Sequence, residues 1–192
     1  TLDLDEWEYR PVSVEGTYDF SAEFHAYTIV SEPRGTYSGP GYWIFTPLNL
    51  AGGGAVMVNR GFVPERFKLA KTRAAGQLPG RQRVVGLLRK TEVPGTFALA
   101  ADLKNNVWTV RDLPAMTRSL GRADLAPFLI DAKAIAPGFL PQGGETRLKF
   151  VNNHLDYALT WYGLGIVLLG VYLAFHRAQG RFGKPHQKAK NP

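Results

Sequence analysis

The chain has 192 residues, 45% of them apolar, and no cysteine, so it can bury one core but can form neither a disulfide nor a thiolate site. It carries 23 basic and 16 acidic residues, a formal net charge of +7. Five of the basic residues and no acidic residue lie in 157–192, so the rest of the chain is near neutral. A near-neutral domain with a basic tail is not typical of nucleic-acid binders, and we expect no nucleic-acid partner.

Short β-like runs between glycines and prolines fill the first 150 residues. They predict strands over Val12–Phe20, Glu23–Val30, Gly41–Leu50, Ala55–Val63, Arg83–Lys90, Asn106–Arg111 and Phe128–Ala134. The glycine-rich turn Ala51–Gly54 joins the third and fourth of these runs and predicts a β-hairpin.

Two stretches between the strands predict helices. Pro64–Ala75 opens with Pro and Glu and stops before a glycine, and we expect its charged residues to form a solvated face. Asp112–Asp124 opens with an Asp cap and a Pro in the first turn. Together the elements predict an α+β fold, a mostly antiparallel sheet or a partly closed barrel with inserted helices, followed by one C-terminal transmembrane helix.

The transmembrane prediction rests on Tyr157–Phe175, which contains 19 residues without a charge. As a helix this run is about 28 Å long, close to the hydrocarbon thickness of a bilayer, whereas core helices seldom stay uncharged for so long. We therefore divide the chain into an external β-rich domain (1–149), a membrane helix (150–176) and a basic tail (177–192).

The charges that flank the run predict its orientation. Five Lys and Arg residues follow it without an acid, whereas the preceding flank is mixed, so the positive-inside rule places the C-terminus in the cytoplasm. The large domain is then periplasmic at a bacterial inner membrane, or on the equivalent side of an organelle inner membrane. Such a domain needs an exporting segment, and we expect a first membrane helix before Thr1 in the full protein.

No enzyme motif stands out. The sequence has no phosphate-binding loop pattern, no GxSxG and no HExxH, and its four histidines are scattered, so we expect no catalytic activity. His154 is distinctive because it lies three residues before the apolar run. On a helical period it shares a face with Tyr157, Ala158, Trp161 and Gly165.

A haem could lie on this aromatic and small-residue face, with its iron on the His154 nitrogen. The pattern alone favours the alternative, an interfacial histidine that hydrogen-bonds to Asn152, Asn153 or lipid headgroups. His176 cannot complete the same site, because it lies about 33 Å further along the helix.

Arg60, in VNRGFVP, is the other candidate residue. We expect Gly61 to adopt a backbone conformation that other residues resist and Pro64 to end the strand. Arg60 then either pairs with an acid in the core or contacts an anionic group, for example a haem propionate.

Four segments carry a resemblance to a known family: Glu8–Gly16 (EYRPVSVEG), Thr46–Pro64 (TPLNLAGGGAVMVNRGFVP), Asp112–Ala132 (DLPAMTRSLGRADLAPFLIDA) and Asn152–Trp161 (NNHLDYALTW). They cover nearly the whole chain in order and resemble the surfeit locus protein one family, assembly factors of haem–copper cytochrome c oxidase. That family has two membrane helices that flank an external domain, which agrees with the expected N-terminal helix.

The resemblance implies a role in the maturation of oxidase subunit I. Bacterial members are held to bind haem a through the histidine of the second helix, here His154, and Tyr157 and Trp161 would flank the ring. The implied partners are subunit I and other oxidase subunits, the haem a synthase and the lipid membrane. Two alternatives stay open: a cofactor-free scaffold that docks on oxidase subunits, and an envelope ligand-binding module unrelated to respiration.

Overall fold

The computed structural model of the chain describes residues 3–96, 99–133, 139–146 and 153–181. The chain divides into two units, Thr1–Arg147 and Leu148–Pro192. The described part of the first unit contains seven strands and two helices. The strands are β1 (Pro11–Tyr18), β2 (Phe24–Val30), β3 (Gly39–Leu50), β4 (Ala55–Pro64), β5 (Arg81–Arg89), β6 (Val107–Trp108) and β7 (Leu125–Ala132). The helices are α1 (Leu4–Trp7) and α2 (Leu113–Leu120).

Five of the strands close into a barrel. They follow the order β1, β5, β7, β4, β3, and β1 then pairs back onto β3. The pairings are antiparallel except between β4 and β7, which run parallel. β2 and β6 extend the sheet beyond β3, and their own pairing is also parallel. The predicted α+β fold with a barrel is confirmed, as a mixed barrel with extra strands.

One edge of β3 is shared by two strands. Its first part, Gly39–Phe45, pairs with β2, and its last part, Leu48–Leu50, pairs with β1. The chain turns between β1 and β2 through a short 3₁₀ segment, Phe20–Ala22, whose backbone is capped by the Asp19 side chain. β1 and β2 therefore lie end to end along the longest strand, and this arrangement allows the barrel to close.

Alternation along β4 divides the apolar core into two clusters. Val56 and Val58 point into the barrel, where they meet side chains from the four other barrel strands. Met57 points to the opposite face, which α2 covers with Leu113 and Met116. Since each fully buried aliphatic side chain contributes about 1.5–3 kcal/mol, both faces of the sheet stabilise the domain.

The helix predicted over Pro64–Ala75 is wrong. The segment forms two 3₁₀ stretches, Glu65–Phe67 and Ala70–Gly76, and the second is broken at Arg73, which has a non-helical φ of −139°. The expected solvated face is also wrong for Arg73, which is buried. Its guanidinium donates hydrogen bonds to the carbonyl oxygens of Phe67 and Lys68, so the segment folds around the side chain instead of continuing as a helix.

The second predicted helix begins as expected and ends early. The Asp112 carboxylate accepts a hydrogen bond of 2.9 Å from the Ala115 amide, and α2 ends at Leu120 because Gly121 adopts a left-handed conformation with φ 62°. The strand predicted over Asn106–Arg111 shortens to β6, because the Arg111 amide donates to the Glu92 carboxylate instead of a neighbouring strand.

The second unit contains α3 (His154–Ala178), a helix of 25 residues. None of its residues is buried, and it is long and apolar enough to cross a lipid bilayer. Three predicted features lie outside the described residues. They are the start of the membrane helix at residue 150, the last residue of the predicted strand Phe128–Ala134, and the tail beyond residue 181. The division at 149 and 176 therefore stays a prediction.

Candidate functional site

The predicted ligand residues lie at the N-terminal end of α3. His154 is the first residue of the helix, after Asn153, whose carbonyl oxygen accepts a hydrogen bond of 3.0 Å from the Tyr157 amide. Helical geometry places His154, Tyr157 and Trp161 within an arc of about 60° around the axis. Tyr157 and Trp161 are 66% and 71% exposed, so one face of the helix end presents an imidazole followed by two aromatic rings.

This face has the chemistry that a haem requires on one side. A histidine nitrogen is a good axial ligand for haem iron, and aromatic side chains pack against a flat apolar macrocycle. Small residues at Ala158 and Gly165 lie on the same face and leave room for a large ring. The donor set of α3 therefore fits a haem, although haem binding itself stays a prediction.

A second axial ligand does not come from the other histidine of this helix. His176 lies about 33 Å further along the axis, where its ring contacts Tyr172 at a centroid distance of 4.3 Å. Within the described ranges, no group of three or more His, Cys, Asp or Glu side chains is arranged to hold a metal ion.

In the first unit, Arg60 lies at an irregularity of the barrel. On β4, Asn59 pairs with Phe45 and Gly61 pairs with Ile44, so Arg60 is the extra residue of a β-bulge. Gly61 has a φ of +126°, and a Cβ on it would lie 2.2 Å from the Gln142 carbonyl oxygen. The unusual backbone predicted for Gly61 is therefore confirmed, and β4 ends at Pro64 as expected.

The bulge directs the Arg60 guanidinium into a buried, aromatic environment. Its central carbon lies 5.1 Å from the centre of the Tyr18 ring and 4.8 Å from that of Phe20. Its Nη1 lies 3.7 Å from a Glu23 carboxylate oxygen, and its Nη2 donates to the Gly76 carbonyl oxygen. Of the two interpretations of Arg60, the structure shows the pairing with a buried acid.

Glu23 connects three basic side chains, and sequence reasoning missed this. Arg73 donates to Glu23 with an Nη1 to Oε2 distance of 3.1 Å, and His25 Nε2 lies 2.9 Å from Oε1. Burial raises the pKa of Glu23, but hydrogen bonds from His25 and Arg73 outweigh it and hold the pKa below its usual value. The carboxylate therefore stays ionised inside the domain.

A second buried acid, Asp131 on β7, holds the neighbouring strands together. It accepts hydrogen bonds from Asn59 at 2.9 Å, Arg89 at 3.1 Å and Thr146 at 2.8 Å. An Asp within the apolar run FLIDA was the one local signal for this network. Because its donors already surround it, Asp131 has a structural role.

A comparison with known proteins finds matches that include the candidate residues of α3. The sequence model of the SURF1 family matches residues 1–166, which include His154, Tyr157 and Trp161. Surfeit locus protein 1 of Homo sapiens is 37% identical over 176 residues, which cover 85% of this chain and 57% of that protein. The Mus musculus protein of the same name is 39% identical over 175 residues, 85% of this chain and 56% of that protein.

One further relative matches over a longer part of the chain. A SURF1-like protein of Monosiga brevicollis is 35% identical over 191 residues, which cover 93% of this chain and 70% of that protein. The chain spans little more than half the length of the vertebrate relatives described above.

Proposed function

The chain belongs to the SURF1 family, and on that premise we propose that it is an assembly factor for haem–copper cytochrome c oxidase, one that binds haem a and assists its insertion into subunit I. The observation that carries this proposal is the face of α3 on which His154 precedes two exposed aromatic rings. The resemblance of NNHLDYALTW to the family's histidine motif supports the same residue.

The role of each residue follows from its chemistry. His154 holds the iron through a ring nitrogen, and Tyr157 and Trp161 cover the apolar ring on the helix side. Haem is cargo for this protein, so the site must release it as well as bind it. A single ligand at the exposed end of a helix suits release better than a closed pocket with two ligands.

The membrane setting of the proposal rests on charge. Arg177 and Arg181 follow the apolar part of α3, and the tail beyond adds three lysines without an acid. By the positive-inside rule the C-terminus is cytoplasmic and the barrel domain is periplasmic at a bacterial inner membrane, or in the equivalent organelle space. There the domain would meet its proposed partners, the haem a synthase, subunit I and other oxidase subunits. We propose no catalytic activity.

The experiment is to co-express the full protein with the haem a synthase, to purify it and to record its absorption spectrum. We expect a Soret band in the wild type that His154→Ala removes. His176→Ala is the matched control, because it removes a histidine from the opposite end of the same helix, and we expect it to retain the band.

Two outcomes would contradict the proposal in different ways. An unchanged haem content and spectrum in His154→Ala would remove this residue from the site. A colourless wild-type protein that still co-purifies with oxidase subunits would instead identify a cofactor-free scaffold.

A further inference from the structure

A cavity of about 250 Å³ opens beside Arg60 in the first unit. Its wall is formed by side chains of four barrel strands, among them Tyr18 of β1, Val84 of β5 and Ala132 of β7. Leu78, from the segment before β5, also lines the cavity and is 40% exposed. The cavity belongs entirely to the barrel domain and is therefore independent of His154.

The charged residues that line this cavity are all basic. Arg60, Arg83 and Lys133 contribute to its wall, and none of the described lining residues is acidic. The nearest buried acid is Glu23, but Arg73 occupies the same carboxylate at closer range than the 3.7 Å of Arg60. Two buried guanidinium groups thus share one carboxylate, which leaves an excess positive charge beside the cavity.

Two of the guanidinium nitrogens of Arg60 are unsatisfied. Its side chain is 2% exposed, and Nε and Nη1 have no hydrogen-bond partner among the residues that the structure describes. Arg73, a buried arginine of the same cluster, shows the contrast, because all three of its guanidinium nitrogens donate hydrogen bonds. Buried donors without acceptors are costly, so an additional acceptor at Arg60 would be strongly favoured.

Among the residues that the structure describes around Arg60, Tyr18 does not supply the missing negative charge. Tyr18 lies against Arg60, yet burial raises the pKa of its phenol to about 12, despite the opposing attraction of Arg60. The phenol therefore stays protonated at neutral pH. Because desolvation also lowers the pKa of Arg60, the buried guanidinium lacks full electrostatic compensation.

We propose that this cavity binds the carboxylate of an apolar ligand, with Arg60 as its charged anchor. A carboxylate brings the two acceptor oxygens that the unsatisfied Nε and Nη1 of Arg60 lack. The walls beside Arg60, which include Tyr18, Val84 and Leu78, match a hydrocarbon or aromatic body. Arg83 and Lys133 at the same cavity attract the anion and add to its selectivity over neutral compounds.

The test uses the full chain in lipid nanodiscs with 4-fluorobenzoate as the probe and its neutral analogue 4-fluorobenzamide as the control. Binding is measured from ¹⁹F line broadening, with empty nanodiscs as the blank. We expect the wild type to bind the carboxylate about tenfold more tightly than the amide.

Two variants locate the site. Arg60→Gln removes the anchor, and Leu78→Asp places a carboxylate at the cavity without altering the buried cluster; both should weaken 4-fluorobenzoate binding by about tenfold. Leu69→Asp, at a 55% exposed position outside the cavity lining, is the matched control and should leave binding unchanged.

Three results would overturn the proposal: no carboxylate binding to the wild type, equal binding of carboxylate and amide, or equal binding to the wild type and Leu78→Asp. Because Leu78 is partly exposed, that variant keeps the test decisive even if Arg60→Gln fails to fold. A loss of haem in His154→Ala leaves this result unaffected, so the two proposals fail separately.

Discussion

Glu23 and Arg73 lie 50 positions apart in the chain and form a salt bridge whose side chains are 6% and 0% exposed. This contact joins the corner before β2 to the broken 3₁₀ segment that precedes β5. His25 and Arg60 approach the same carboxylate, so one negative charge serves three basic neighbours.

We expect Glu23→Gln to lower the free energy of unfolding by about 3–5 kcal/mol, because it leaves buried guanidinium groups without their counter-charge. Chemical denaturation at pH 7 measures the effect. Glu15→Gln is the matched control, since Glu15 pairs with Arg81 at 2.8 Å on the exposed surface. The control should change the stability by at most about 1 kcal/mol. Equal losses of stability in the two variants would show that the buried Glu23 stabilises the domain no more than a surface ion pair does.

The same residue predicts a pH dependence. Although burial raises the pKa of Glu23, hydrogen bonds from His25 and Arg73 hold it below the value of 4.5 that an unperturbed Glu has. A carboxyl with a depressed folded-state pKa contributes stability above its unfolded pKa and loses it as the pH falls through the folded value. The wild type should therefore lose stability below pH 4.5 more steeply than Glu23→Gln, as measured by denaturation at a series of pH values. An equal loss of stability at low pH in the two proteins would contradict this prediction.

Gly61→Ala should destabilise the barrel severely. The positive φ of +126° adds about 1–3 kcal/mol of strain, and the new Cβ would clash with the Gln142 carbonyl oxygen at 2.2 Å. Thermal unfolding checks this against Gly52→Ala, at a turn position where a Cβ meets nothing within 4 Å. That control should shift stability by less than about 1 kcal/mol. A wild-type melting temperature for Gly61→Ala would mean that the bulge is not as described.

Trp161→Ala should weaken haem retention on α3, whereas Tyr162→Ala should not. Both are exposed aromatic residues of the same helix, but Tyr162 lies about 100° away from Trp161 around the axis and off the His154 face. The ratio of haem to protein after purification measures the difference. Equal retention in the two variants would argue against a ring seated on this face.

Single cysteines test the orientation of α3, because the chain contains none of its own. Ser31→Cys in the barrel domain should react with a membrane-impermeant maleimide in intact spheroplasts. Gln179→Cys, at the C-terminal end of α3, should react only after the membrane is permeabilised. Labelling of both positions in intact spheroplasts would place them on the same side and contradict the proposed topology.

Local signals account for what the sequence predicts well. The AGGG turn and its flanking apolar runs identify the β3–β4 hairpin, since the information lies within adjacent residues. Asp112 predicts the start of α2 for the same reason. The parallel pairing of β7 with β4 leaves no such trace, because strand order in a barrel depends on contacts between distant segments.

The candidate sites divide in the same way. His154 stands out as a candidate because it precedes the apolar run and shares a helical face with aromatic residues, and Arg60 stands out because Gly61 follows it. The sequence does not reveal the roles of Glu23 and Arg73. Their immediate neighbours carry no special pattern, and each role depends on a contact with a residue 50 positions away. The helix predicted over Pro64–Ala75 is wrong for this reason, since burial of Arg73 overrides local propensity.

The insertion of β7 between β4 and β5 also bears on how the domain is synthesised. A nascent chain that has emerged only as far as Arg89 leaves one edge of β4 and one edge of β5 unpaired, and these two edges stay open until residues 125–132 arrive. Synthesis of the residues between Arg89 and β7 takes a few seconds at about 5–20 residues per second, so these edges stay open for that time. The growing polypeptide thus has a period of exposure to aggregation, during which a chaperone that binds extended strands would increase its yield.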